Sequence, residues 1–405
     1  MAKVKKIKRE KVVLAYSGGL DTSVILKWLQ EEKNLDVITY SARLGEVENK
    51  NLKEKALSNG AIKAYEEDVE KIFAMEYILP ALKAGAIYEG KYLLATALGR
   101  PLIAKRMIEI AKKEKANYIA HGCSGKGNDQ LRFEYAVASL APELKIIAPL
   151  REWNFKSREE EIDYAKKTGI KIQATKKSPY SIDKNLWGIS IECGILEDPA
   201  KFPPEDIYVM TKDPLKAPNK IENVKIGIKK GVPVSLNGKR MSFVEIIKKL
   251  NKIGGRNGVG RIDLLEDRVV GIKSREIYEA PAGVILHTAM RELERMVLDK
   301  ETIAIKNYIA EKYANLVYEG KWFSDIRKHL DSFVESCMEY MDGEVVLGLF
   351  KGNCFVRGRR SAYSLYKEDY ATYTSKDKFS QNAAEGFIAI QSLPLRFQGM
   401  RRKRC

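Results

Sequence analysis

The chain has 405 residues, 45% of them hydrophobic, with 71 Lys and Arg against 54 Asp and Glu and a formal net charge of +17. That length calls for two domains rather than one core, and the lack of a roughly 20-residue apolar run, or of an apolar export segment in "MAKVKKIKREKVV", predicts a cytoplasmic protein without a membrane partner. Five cysteines (Cys123, Cys193, Cys337, Cys354, Cys405) with no C-x-x-C pair and three scattered histidines (His121, His287, His329) argue against a disulfide framework and a preformed transition-metal centre.

Through the first half, short β-branched or apolar runs alternate with helical patterns, the rhythm of a parallel sheet covered by helices. Residues 12–16 read as a strand and 21–32 as a helix with Val24, Ile25, Trp28 and Leu29 on one face. "DVITYSA", "AIKAYEED", "NYIAHG" and "KIIAP" read as further strands. Between them the helices are "NKNLKEKALSNG", residues 69–84, a stretch opening at Pro101 and running to about 115, and 129–139. Beyond about residue 175 strand pairs and longer helices take over, which reads as α+β, with a soft boundary at 170–180. Asn237-Gly238 inside "NVKIGIKKGVPVSLNGKRMSF" is a hairpin signal. Helices are expected at 243–252 and 286–314, the latter region with Leu293, Met296 and Val297 as a packing stripe. "EVVLGLFKGNCFVRGRRS" reads as another hairpin, and the tail as poor in helix. Bases and acids are interspersed except in "KVKKIKREK" and "RRKRC", so the charge reads as a solvated surface, and no nucleic-acid partner is expected.

"YSGGLDTSV" lies where the first strand meets the first helix. A loop there offers free backbone N–H groups and the positive end of the helix dipole, which together make an anion site. Gly18 and Gly19 let the backbone approach a phosphate, and Ser17, Thr22 and Ser23 add hydroxyls. Asp21 fits either as a helix cap or beside a magnesium ion that carries the phosphates. The spacing satisfies neither G-x-x-x-x-G-K-[ST] nor G-x-G-x-x-G. "SGGLDTS" resembles the pyrophosphate loop of the N-type ATP pyrophosphatases, which split ATP between the α and β phosphates.

"YIAHGCSGKGNDQLRFE" repeats the strand, loop and helix arrangement at a second strand end, with Gly122, Gly125 and Gly127 pressing the backbone close to a ligand and Lys126 adding a mobile charge. Asn128, Asp129 and Arg132 share one helix turn and offer an amide, a carboxylate and a guanidinium, the complement of a zwitterionic amino acid. His121 is open between a backbone-held structural role and a direct one, and Cys123 reads as a small filler. This stretch closely resembles the argininosuccinate synthase family, and the similarity continues through "YLLATALGRPLIAK", "KKSPYSIDKNLWGISIECGILEDP", "DPLKAPN" and "NGVGRIDLLEDRVVGIKSREIYEAPAG".

The resemblance implies an α/β chain: a parallel-sheet nucleotide-binding domain of the adenine nucleotide alpha hydrolase-like type at 1–172, an α+β synthetase and multimerisation domain at 173–365, and a C-terminal oligomerisation arm at 366–405. It implies ATP-dependent ligation of L-citrulline and L-aspartate through a citrullyl-adenylate, with Mg²⁺, in a homotetramer of arginine biosynthesis. ATP would be met by Ala15, Tyr16, Ser17, Gly18, Gly19, Leu20, Asp21, Thr22, Ser23, Ala42 and Gly122. Aspartate would be met by Ser124, Asn128 and Asp129 with Thr96 nearby, and citrulline by Tyr92, Asn128, Arg132, Ser181, Ser190, Glu266 and Tyr278. Ser17, Asp21, Lys126 and Asp129 would take part in the chemistry, while Ala97, where some members carry serine, is left out. A tRNA-modifying ATP pyrophosphatase would give the charge a partner but needs a cysteine pair near the nucleotide, and a universal-stress-type nucleotide sensor lacks S-G-G-x-D.

Overall fold

The apolar runs of the first half have both faces covered, so they pair as parallel strands: β1 (Lys11–Ala15), β2 (Asp36–Arg43), β3 (Lys63–Asp68), β4 (Tyr118–Ala120) and β5 (Lys145–Ile147), in the order β3-β2-β1-β4-β5. The computed structural model describes residues 9–45, 51–155, 158–170 and 179–403. Four helices that matter below are α1 (Leu20–Glu31), α2 (Leu52–Ser58), α3 (Ala95–Glu114) and α4 (Asp129–Leu140). α1 packs Ile25, Leu26 and Leu29 on one face of the sheet against Val12, Leu14 and Val37. α3 packs Ala104, Met107 and Ile108 on the other face against Val13, Ile38 and Ile119. β1 lies between β2 and β4, so the loops leaving β1 and β4 are neighbours at the carboxyl edge, where open sheets of this kind bind ligands.

The second half is antiparallel. Its strands are β6 (Ser181–Lys184), β7 (Ile189–Glu192), β8 (Glu222–Lys229), β9 (Val232–Leu236), β10 (Lys239–Arg240), β11 (Arg261–Asp267), β12 (Lys273–Glu279), β13 (Gly343–Phe350) and β14 (Asn353–Arg360). They form the sheets β11-β12-β7-β6 and β10-β9-β8-β13-β14. The four-stranded sheet docks on the first half through the link between β6 and β7. There Leu186 N donates to Leu44 O at 2.7 Å, Asn185 Nδ2 to Ala95 O at 2.7 Å and Trp187 Nε1 to Leu93 O at 2.8 Å. Trp187 is buried in a core shared by both halves, so the two sheets face each other across the strand ends.

Four expectations change. α3 begins at Ala95, ahead of Pro101, because the Tyr92 hydroxyl accepts from Thr96 N (3.1 Å) and Ala97 N (3.3 Å) and satisfies the first turn. The buried stripe of Ala97, Leu98 and Leu102 then outweighs the backbone bond lost at the internal proline. The stretch expected as one α-helix at 69–84 is helical from Glu70 to Ala84, but its middle, Phe73–Ile78, is a π segment between two α-helical pieces. The single helix expected at 286–314 is two, Pro281–Val297 and Lys300–Tyr318, because Asp299 caps the second by accepting from Glu301 N and Thr302 N, both at 3.0 Å. The tail holds helices at Gln381–Gln391 and Leu393–Arg402 with no buried residue in either. Asn237 (φ 51°) and Gly238 (φ 79°) do turn β9 into β10, while the larger β8–β9 hairpin turns at Lys230-Gly231. Most of the boundary expected at 170–180, namely 171–178, lies outside the described residues.

Candidate active site

A cavity of about 1000 Å³ opens at the carboxyl edge of β1 and β4 and is closed from the far side by β6, β7, β11 and β12. Ala15, Tyr16, Ser17, Asp21, Thr22, Ala42 and Gly122 line it, as do Tyr92, Thr96, Ser124, Asn128, Asp129, Arg132, Ser181, Ser190, Glu266 and Tyr278. Gly18, Gly19, Leu20, Ser23 and Lys126 do not.

In the first loop the side chains hold the backbone rather than fill the space. Ser17 Oγ stands 3.2 Å from Thr22 Oγ1 and accepts from Gly19 N at 3.4 Å. Ser23 is buried beneath the loop, where its hydroxyl donates to Gly19 O at 2.8 Å, so it is no free donor. Lys55 of α2 donates to Gly18 O at 2.5 Å and brings a cation under the loop. Asp21 makes no cap: α1 starts after Gly19 without a side-chain hydrogen bond, and the Asp21 carboxylate is exposed on the cavity wall. A lone carboxylate beside two hydroxyls is a set that suits magnesium, which takes one or two carboxylates and completes its shell with phosphate and water.

The second loop opens α4. Asp129 Oδ1 accepts from Arg132 NH1 at 2.7 Å and Oδ2 from Arg100 Nε at 2.8 Å, while Arg100 NH2 also donates to Asp183 of β6. Burial opposes ionisation of Asp129, but the Arg100 and Arg132 guanidiniums outweigh it and hold its carboxyl at about 2. Such a carboxylate is a permanent anion and a poor proton acceptor. Arg132 is itself fixed by donating from Nε to Tyr318 O at 3.0 Å. His121 is tied at both nitrogens: Nδ1 accepts from Cys123 N at 3.3 Å, leaving Nε2 as donor 3.2 Å from Glu134 Oε1. Burial pushes the Cys123 thiol up, so it is inert as a nucleophile. Lys126 is exposed, and its carbonyl accepts from Arg268 at 3.3 Å.

On the opposite wall Tyr92 stacks on Tyr278 with ring centroids 4.1 Å apart. Glu266 accepts from Tyr278 OH and Tyr318 OH, both at 2.6 Å. Burial still holds the Glu266 carboxyl above the usual range against those two donors. Sequence reasoning missed Arg100, Arg268, Glu192 and Glu276, all on the cavity wall. Arg100 had a signal, since it follows Thr96 by four residues on the helix face that carries Tyr92's partners.

Arg268 NH2 donates to Glu276 Oε1 at 2.8 Å and to Glu192 Oε2, and Ser274 Oγ donates to the same Glu276 oxygen at 3.0 Å. Burial first, then the neighbouring Glu192 charge, pushes Glu276 up to about 8 despite Arg268. The native state keeps a proton that the unfolded chain releases near 4.5, so this group stabilises fully below 4.5 and its contribution fades as pH rises to about 8. Glu276→Gln should therefore lessen the fall of Tm between 4.5 and 8 relative to the parent. Parallel Tm–pH curves for the two proteins would contradict that reading.

A sequence model described as "Arginosuccinate synthase N-terminal HUP domain" matches residues 11–171, and one described as "Arginosuccinate synthase C-terminal domain" matches 180–398. The chain is 56% identical over 391 residues to the argininosuccinate synthase of Chlorobium phaeobacteroides (strain BS1), covering 96% of this chain and 97% of that one. It is 54% identical over 391 residues to that of Chlorobium luteolum, covering 96% and 98%. Against that of Carboxydothermus hydrogenoformans it is 52% identical over 395 residues, covering 97% and 98%. With both halves matched in order around one shared cavity, the chain belongs to the argininosuccinate synthase family, ATP-using ligases of arginine biosynthesis.

Proposed function

We propose the following residue roles for the activity that family membership gives this chain, the ATP-dependent ligation of L-citrulline and L-aspartate to argininosuccinate with release of AMP and pyrophosphate. What supports them is one observation: both glycine loops and the wall of the antiparallel sheet line a single cavity of about 1000 Å³, large enough for a nucleotide and two amino acids. ATP lies with its phosphates on the 17–23 loop and its nucleoside toward Ala42 and Gly122. Gly18, Gly19 and Leu20 act through the backbone that Ser17, Ser23 and Lys55 hold in shape. Asp21, with the hydroxyls of Ser17 and Thr22, would hold a magnesium ion, which when bound neutralises charge on the departing pyrophosphate.

Citrulline is held by Tyr92, Asn128, Arg132, Ser181, Ser190, Glu266 and Tyr278, and aspartate by Ser124, Asn128 and Asp129 beside Thr96. The ureido oxygen of citrulline attacks the α-phosphorus, forming the O–P bond as the bond to pyrophosphate breaks. The aspartate ammonium gives up a proton to solvent, the amine then attacks the activated ureido carbon, and the C–O bond to AMP breaks so that AMP leaves with the oxygen. Asp129, an anion across the working pH range, orients the aspartate ammonium and does not receive its proton. Lys126 would have to swing in to reach the phosphates. Alignment and charge stabilisation supply the rate, with no covalent enzyme intermediate.

We further place the enzyme in the cytoplasm as a homotetramer, with domains at 1–172 and 173–365 and an arm at 366–405 whose exposed Phe387, Ile388, Leu395 and Phe397 would pack on another subunit. Citrulline labelled with ¹⁸O in its ureido oxygen tests the chemistry directly: AMP should carry the label. Unlabelled AMP alongside argininosuccinate would rule out attack on phosphorus.

A further inference from the structure

Between β11 and β12 the chain makes a tight turn: Gly271 N donates to Arg268 O at 2.9 Å, Arg268 N donates to Ile272 O at 2.8 Å, and Gly271 supplies φ +85°. This turn belongs to the antiparallel sheet but reaches the glycine loop of the parallel half. Val269 N donates to Asn128 Oδ1 at 3.0 Å, and Arg268 NH1 donates to Lys126 O at 3.3 Å. Arg268 is anchored from below by Glu192 of β7 and Glu276 of β12.

The contact decides the polarity of Asn128. A backbone N–H can be met only by the amide oxygen, so the bond from Val269 fixes Oδ1 toward the turn and leaves the NH₂ on the other side. Asn128 is only 7% exposed and lines the cavity, and among the described residues its Nδ2 has no protein acceptor. In a residue this buried, an amide NH₂ that borders the cavity with both donors unspent is placed to meet an acceptor on a ligand. The nearby carboxylate, Asp129, accepts from Arg100 and Arg132, and among the described residues it makes no hydrogen bond with the Asn128 amide.

We propose that the β11–β12 turn is a positioning element of the active site: the Val269 N–H sets the Asn128 amide so that its NH₂ faces the cavity as a donor for a substrate carboxylate, and Arg268 holds the turn in place. The inference rests on the assignment of the amino-acid substrates to this cavity. It gives the antiparallel half a part in shaping a loop that it does not contain. Without the turn, the amide is free to rotate and present its oxygen to an anion.

Val269→Pro isolates the contact. Val269 is the second residue of the turn, the place where proline's fixed φ fits, and the substitution removes the N–H that bonds Asn128 Oδ1 while exchanging the isopropyl group for a ring. KM for citrulline or for aspartate should rise about ten- to hundredfold, the cost of one oriented hydrogen bond to a charged group, with KM for ATP changed less than about twofold. In an Asn128→Ala background the proline should add nothing. A variant that keeps both amino-acid KM values, that raises all three KM values equally, or whose proline effect persists in the alanine background overturns the inference. A parent enzyme that forms no argininosuccinate would overturn the functional reading and this inference with it, whereas a fully active parent with an indifferent proline variant overturns only the role of the turn.

Discussion

Replacing Asp129 by asparagine is expected to raise KM for aspartate by roughly 10²-fold or more while leaving KM for ATP within about threefold, since a charge-assisted bond and the orientation it gives are both lost. The geometry makes asparagine a poor substitute in either rotamer. Oδ1 accepts from Arg132 and Oδ2 from Arg100, so an amide must aim its NH₂ at one of two guanidiniums. The exchange also leaves the well-buried Arg132 without its counter-ion, a change that costs about 3 kcal/mol when a buried pair is broken from one side. Citrulline-dependent exchange of labelled pyrophosphate into ATP should survive better than overall turnover, because the adenylation step precedes use of aspartate. Linkage adds a second readout. The native carboxyl is depressed from 3.8 to about 2, so its stabilisation is present above 3.8 and lost as pH falls toward 2; the variant should lose that part of the acid limb. If KM for ATP and for aspartate rise together, Asp129 supports the cavity as a whole and the assignment of the ammonium to it fails.

The parts of this site that were legible in the sequence are those whose chemistry is local. "SGGLDTS" and "GCSGKGND" each put glycine, hydroxyl and carboxylate within one loop and helix start, and the parallel sheet could be read from the alternation that places both loops at one edge. Arg268 was invisible, and Arg100 showed only its helix spacing from Thr96, because their meaning comes from partners far along the chain: Asp183 is 83 residues from Arg100, and Glu192 is 76 from Arg268. The same holds for Lys55, 37 residues from the carbonyl it supports. Pro101 misled for a related reason, because the group that starts α3 is a side-chain hydroxyl, Tyr92, which no propensity scale counts. A cysteine pair for tRNA thiolation does not line the cavity, where Cys123 stands without a second thiol among the described residues.

Gly18→Ala should raise KM for ATP by about ten- to hundredfold, the equivalent of roughly 1.4–2.8 kcal/mol. Gly18 holds φ +75°, a conformation that costs an L-residue about 1–2 kcal/mol. A methyl group there would lie 2.4 Å from Leu52 Cδ2. Leu52 opens α2 and lines the cavity, and Lys55 of the same helix holds Gly18 O, so relief of the overlap must part the loop from the cation beneath it. The neighbouring Gly19 is the internal control. Its φ is −70°, and an added Cβ would meet only Ser17 Oγ at 3.5 Å, so Gly19→Ala should lower Tm only by the small cost of alanine at the N-cap of α1. Any rise in KM for ATP that Gly19→Ala produces then measures how closely the phosphates approach the loop. Equal losses for ATP, citrulline and aspartate in Gly18→Ala, or no loss for ATP, would mean that this turn shapes the fold without cradling the triphosphate.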